Sequence, residues 1–161
     1  MSDPIHIPNW QRLGAQITTS GQPSEAELAE LAAIGVRHVI NLGLHTHERA
    51  LPDEAASVAA AGMTYTHIPV AFDAPSEADF ARFCAALDSL GEVPVHVHCI
   101  LNLRVSAFFY RYRRDVLGWE AAAARAPMEA LWQPGGVWAA FIGDTEAVAL
   151  PHRPPREAGP L

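Results

Sequence analysis

Lysine is absent from the 161-residue sequence: all eleven basic residues are arginine, set against eighteen acidic ones for a formal net charge of −7. A chain so short of positive charge lacks the basic face that general binding to nucleic acid or anionic membranes requires, which leaves room for one local anion site. Cysteine is scarce as well. Cys84 and Cys99 are too few for a disulfide framework and lack the spacing of a structural zinc site. The opening Met1-Ser2-Asp3-Pro4-Ile5-His6 has no basic start followed by an apolar run, and no stretch approaches membrane-spanning length. No internal repeat is visible. The expectation is a soluble, cytoplasmic protein with neither nucleic acid nor membrane as partner. Half of the residues are apolar, enough for one domain with a sizeable core and too few for two. That domain is expected over residues 1–150. Residues 151–161, with almost nothing to bury, are expected to form a disordered tail.

Strand and helix signals alternate at short intervals. Ala15 to Ser20 reads as a short edge strand. Ser24 with Glu27 forms a capping box ahead of a helix whose Leu28, Leu31, Ala32 and Ile34 make one apolar stripe, ended by Gly35. Val36 to Leu42 reads as a strand, followed by a polar loop to Leu51 and a helix from Pro52-Asp53-Glu54 to Gly62. Thr64 to Ile68 alternates as a strand does, and the loop Pro69 to Pro75 carries Asp73. Ser76 with Asp79 opens a helix on which Phe80, Phe83, Cys84, Leu87 and Leu90 share a face. Val93 to His98 is a buried strand, and Ala107 to Leu117 an apolar, aromatic helix. Beyond it, Trp119 to Leu131 and Gly136 to Ile142 are expected to be helical, the last packing Val137, Trp138 and Phe141. This order predicts an α/β fold: a mostly parallel central sheet of about four to five strands, flanked by helices on both faces. Ligands of such sheets sit at the carboxyl ends of strands, which is where Cys99 falls.

The stretch from His96 to Ser106 is therefore the centre of interest. Cys99 to Arg104 is a strand-to-helix turn, which aims free backbone N–H groups and the positive end of a helix dipole at one small volume. That volume suits an anion, and the same field stabilises a thiolate, making Cys99 a candidate nucleophile. His98-Cys99, a short loop, Arg104 and Ser106 resemble the H-C-x5-R-[S/T] signature of the cysteine-based protein tyrosine and dual-specificity phosphatases. The segments Ser20-Gly21-Gln22-Pro23-Ser24, Val39-Ile40-Asn41-Leu42 and Tyr65-Thr66-His67-Ile68-Pro69-Val70 are similar to a bacterial branch of that family, so the resemblance spans roughly Thr18 to Leu117. One departure stands out. Arg104 lies five residues after Cys99 rather than six, and an ungapped alignment puts Val105 on the arginine position, Asn102 on a usual glycine and Ser106 on the hydroxyl. Asn tolerates a left-handed backbone better than other non-glycine residues. Either the loop is one residue tighter or Arg104 reaches the anion from the neighbouring position.

The resemblance implies a dual-specificity-phosphatase-like fold, hydrolysis of a phosphorylated protein or a small phosphate ester, no cofactor, and a definite set of roles. Cys99 would attack phosphorus, and Arg104 would clamp the phosphoryl oxygens. Ile100, Leu101, Asn102 and Leu103 would complete the phosphate loop, Ser106 would ease departure of the thiolate, and His98 would orient the loop. Asp73 occupies the loop that in this family carries the proton donor for the leaving alkoxide; Asp79, as the fallback, is already accounted for by its capping box.

Each role has a plainer counterpart. Cys99 can be a small core residue, Asp73 a turn former, Arg104 an ion-pair partner, and Ser106 a first-turn helix serine. Cys84 reads as core filler, and His96 as a buried, satisfied side chain. Three rivals keep the same residues. A phosphatase-like module would bind phosphorylated groups without turnover. A metal-binding hydrolase would use His45, His47, His96, His98 and Asp73, and a rhodanese-like sulfurtransferase would use the cysteine alone. The oligomeric state is open.

Overall fold

The computed structural model describes residues 2–156. Its five-stranded sheet has the order β1-β2-β5-β3-β4, with β1 at Gln11–Arg12, β2 at Ile17–Ser20, β3 at His38–Asn41, β4 at Thr64–His67 and β5 at Val95–His98. All pairings are parallel except that of β1 with β2. The α/β expectation holds, with one correction. Residues 17–20 are not an edge strand, because the two-residue β1, too short to leave a periodic signal, pairs with them antiparallel and covers that side.

Helices lie on both faces. α1 (Glu25–Ala33) and α2 (Glu54–Ala60) pack Leu28, Leu31 and Val58 against Val39 and Met63 on one face. The other face carries α3 (Glu77–Leu90), α4 (Leu103–Arg111), α5 (Ala121–Glu129) and α6 (Gly136–Ile142), which bury Phe83, Phe108 and Trp138 over Ile40, Val95 and Val97. Local chemistry starts α1, α2 and α3 where the sequence says. Ser24 and Glu27 exchange both bonds of a capping box at α1, and Asp53 caps α2 through the Ala56 N–H. At α3 only half of the expected box forms. Ser76 accepts from the Asp79 N–H, but the Asp79 carboxylate bonds Arg82 at 2.7 Å. Cys84 is half-buried against the core, and burial pushes its thiol up.

The helix expected from Ala107 starts earlier, at Leu103, and passes into a π-helical turn at Tyr112–Val116. Val137 is exposed, not packed with Trp138, because its place on the short α6 turns it to solvent. The expected tail also needs correction as far as Arg156. Gln133 and Arg153 form a β-bridge, and His152 accepts from the Gly135 N–H, its ring tilted 4.8 Å from that of Trp132 and edge-on 5.6 Å from that of Phe72. The segment has few apolar residues, and backbone pairing and tilted and edge-on ring contacts hold it instead. The rest of that expectation, residues 157–161, lies outside the described residues. No helix among the described residues is long and apolar enough to cross a membrane.

Candidate active site

β5 is the central strand, with β2 and β3 on either side, and the chain leaves its carboxyl end into the turn Cys99 to Asn102 before α4 begins. Asn102 makes this turn possible. It adopts φ 67°, in the left-handed region, and its side chain donates to the Asn9 carbonyl and the Thr19 hydroxyl. Helix α4 therefore starts one residue after the left-handed position, and Arg104 falls in its first turn. Among the described residues, no backbone N–H from Ile100 to Val105 has a protein acceptor, and these are the orphan donors of a loop and a helix N-terminus. The loop lies close to the strand end beside it: a Cβ at Gly21 would clash with the Ile100 carbonyl oxygen, so only glycine fits there.

A cleft of about 550 Å³ opens over this turn. Cys99, 1% exposed, and Arg104, 7% exposed, are part of its lining. Its walls are largely apolar: Leu44 from the loop after β3, Phe72 from the loop after β4, and Ile100, Leu101 and Leu103 from the cysteine turn itself. Thr46 and His47 complete it. The Arg104 guanidinium donates to the Val70 carbonyl at 2.8 Å and stands 5.8 Å from the Phe72 ring centre. Phe72 is braced in turn by Trp132 and Trp138, whose indole N–H bonds the Phe72 carbonyl.

Of the residues singled out from sequence, Cys99, Ile100, Leu101, Leu103 and Arg104 converge on this cleft. Asn102 shapes it from behind. Asp73 is exposed, in the turn next to Phe72, and is not part of the lining. The Ser106 hydroxyl donates to the Leu103 carbonyl at 2.7 Å and accepts from the Trp132 indole at 2.9 Å, so its hydrogen is spent within the first turn of α4. The histidine pairs do not converge on a common point. His96 is fully buried between the Thr18 and Ser20 hydroxyls, and burial, then the charge of His98, pushes it well below the ordinary histidine range. His45 stacks on His67 at 3.7 Å and meets the Tyr65 hydroxyl, whereas His47 faces the cleft. His98 donates from Nδ1 to the Cys99 carbonyl at 3.0 Å and bonds Glu54 through Nε2 at 2.6 Å.

Glu54, Gln22 and Phe72 are functional candidates that the sequence did not single out by role, and His47, marked there only as a possible metal ligand, lines the cleft instead. Glu54 read only as a helix-start residue. A glutamate after Pro-Asp is unremarkable in one dimension, and the only hint was a carboxylate on a helix that must cover a strand rich in histidine.

The residues 9–110 match the family model described as the beta-lactamase hydrolase-like protein, phosphatase-like domain, and the chain belongs to that family. A protein of Shewanella putrefaciens CN-32, provisionally assigned as a phosphatase, is 34% identical; the match covers 89% of this chain and 94% of the other, with a TM-score of 0.76. TpbA of P. aeruginosa, solved with phosphotyrosine, shares the fold at 24% identity, 80% and 75% coverage and a TM-score of 0.64. The core catalytic domain of the PP-IP phosphatase SIW14 of S. cerevisiae, solved with citrate, does so at 12% identity, 88% and 90% coverage and a TM-score of 0.67. No curated protein matches the chain at a significant level. The fold is that of tyrosine-phosphatase-like phosphatases, and the family is phosphatase-like.

Proposed function

We propose that this protein hydrolyses phosphate monoesters through a phosphocysteine intermediate formed on Cys99. The observation that carries the reading is the meeting of Cys99 and Arg104 at one cleft, over a turn whose backbone N–H groups from Ile100 to Val105 have no protein acceptor among the described residues. The N–H groups and the α4 dipole hold the non-bridging oxygens of the phosphoryl group, over which charge is redistributed as the reaction proceeds. The Arg104 fork adds bidentate contact from a side chain already held by Val70. The Cys99 sulfur attacks phosphorus, the phosphorus–oxygen bond to the alcohol breaks, and Asp73 gives the leaving oxygen its proton. Water then attacks the phosphocysteine, Asp73 takes a proton from it, and the thiolate leaves with inorganic phosphate released. Ser106, bonded to Leu103 and Trp132, steadies the turn that carries Arg104.

The walls favour a substrate whose phosphate is carried on an apolar group, because Leu44, Phe72, Leu101 and Leu103 present carbon and Arg104 is the one arginine in the lining. A phosphorylated aromatic side chain of a protein and a small aryl or alkyl phosphate both meet that description. A second reading is favoured by the exposure of Asp73 outside the lining: a module that binds phosphorylated groups without turning them over.

The test is hydrolysis of p-nitrophenyl phosphate with acid quenching. Turnover, with a phosphate-bearing Cys99 peptide in mass spectrometry and none in Cys99→Ser, supports the enzyme. Tungstate binding without turnover of any ester supports the module, and full activity in Cys99→Ser overturns the mechanism.

A further inference from the structure

We infer that Glu54 is the positioning residue of the cysteine turn, holding two successive loop carbonyls away from the cleft so that the N–H groups behind them face into it. The inference rests on the anion-binding reading of that turn. Glu54 begins α2, yet its side chain is 1% exposed. A carboxylate is withdrawn from water this far only when its oxygens are satisfied, and both are. Oε2 accepts from His98 Nε2 at 2.6 Å, and Oε1 accepts from the Gln22 side-chain amide at 2.8 Å.

Each partner then grips the turn. His98 Nδ1 donates to the Cys99 carbonyl, and the Gln22 backbone N–H donates to the Ile100 carbonyl, both at 3.0 Å. In a trans peptide the carbonyl and the following N–H point in opposite directions, and no peptide bond of the described chain is cis. Pinning the Cys99 and Ile100 carbonyls on the Glu54 side therefore turns the Ile100 and Leu101 N–H groups to the opposite side, where Cys99, Ile100 and Leu101 line the cleft. Asn9 holds the next carbonyl, that of Leu101, at 2.8 Å. The result is a concave run of N–H groups of the kind that binds anions.

The protonation of the network follows from its acceptors. Burial works to raise the Glu54 carboxyl, but the hydrogen bond and charge of His98, with the Gln22 amide, outweigh it and leave the group below its ordinary range. A carboxylate and a carbonyl can only accept, so Glu54 and the Cys99 carbonyl fix the orientation of the His98 ring between them. Tyr65 remains a phenol, raised by burial and by the Glu54 charge.

The experiment measures tungstate affinity by calorimetry, and kcat and KM on p-nitrophenyl phosphate, for the full chain carrying Glu54→Ala or Glu54→Gln. Glu54→Ala is expected to weaken tungstate binding about tenfold or more, with kcat/KM falling alongside. Glu54→Gln can still accept from Gln22 while its amide donates to His98 Nε2, so it is expected to stay within about threefold of wild type. If Glu54→Ala does not fold, Gln22→Leu removes one arm only and, once circular dichroism shows it folded, is expected to lose about threefold or more in tungstate affinity. Wild-type affinity in the folded Ala or Leu variant overturns the inference, as does a Gln variant as impaired as Ala. A wild-type protein that neither binds tungstate nor turns over an ester overturns the phosphatase reading itself; binding in the wild type with indifferent variants overturns only the role of Glu54.

Discussion

Arg104 and Val105 are neighbours in sequence and face opposite ways: the Arg104 guanidinium lines the cleft and bonds the Val70 carbonyl at 2.8 Å, whereas Val105 is 1% exposed within the aromatic core. The left-handed Asn102 ends the turn, and the first turn of α4 then presents residue 104 to the cleft and 105 to the core.

Arg104→Lys keeps the charge and loses the fork, so turnover is expected to fall well beyond any loss of vanadate affinity. Equal losses in both would mean that Arg104 holds the ground state and the transition state alike. Val105→Ala is expected to cost about 2 kcal/mol of stability in urea unfolding, with vanadate affinity unchanged. A change in affinity without a change in stability would reverse the assignment of the two residues.

Asp73→Asn is expected to slow hydrolysis of an alkyl phosphate by about two to four orders of magnitude, and that of p-nitrophenyl phosphate far less, because a good leaving group needs no proton. Loss on neither substrate removes Asp73 from the reaction. His47, which lines the cleft, is then the group to replace, and a leaving-group-dependent loss in His47→Ala identifies it as the donor.

Phe72→Ala removes the aromatic wall over Arg104. The kcat/KM for aryl phosphates is expected to drop about tenfold, through the loss of roughly 1–2 kcal/mol of apolar contact, while the affinity for inorganic phosphate stays the same. An equal loss for both ligands would show that Phe72 serves only to hold Arg104.

Stability is expected to fall on acidification below pH 6.5. His96 is held well below that ordinary value by burial first and by the charge of His98, and burial also lowers His38. The unfolded chain then binds protons that the folded chain refuses, so the stabilisation is complete above about pH 6.5 and is lost as pH descends toward the folded-state value. Each such histidine contributes a slope of about 1.4 kcal/mol per pH unit within that window. Urea unfolding between pH 5 and 8 measures it, and His96→Gln is expected to reduce the slope by about one proton. An unchanged slope would assign the effect to other groups.

The amino-acid sequence by itself determined the order of strands and helices, because caps such as Ser24 and Asp53, and the 2.0 and 3.6 periodicities, are properties of neighbouring residues. It also placed Cys99 at a strand-to-helix turn and marked Asn102 as the residue able to bend left-handed. Only the tertiary structure decided which of Arg104 and Val105 meets the cleft, since that depends on the helical phase set by the one left-handed residue before it. Long-range contacts likewise drew His152 onto Trp132, committed the Ser106 hydroxyl to Leu103 and Trp132, and carried Glu54 from a helix start to the underside of the cysteine turn, 44 positions from His98. Such partners leave no periodic trace, because a buried carboxylate is selected by where the folded chain puts its acceptors and not by the residues beside it.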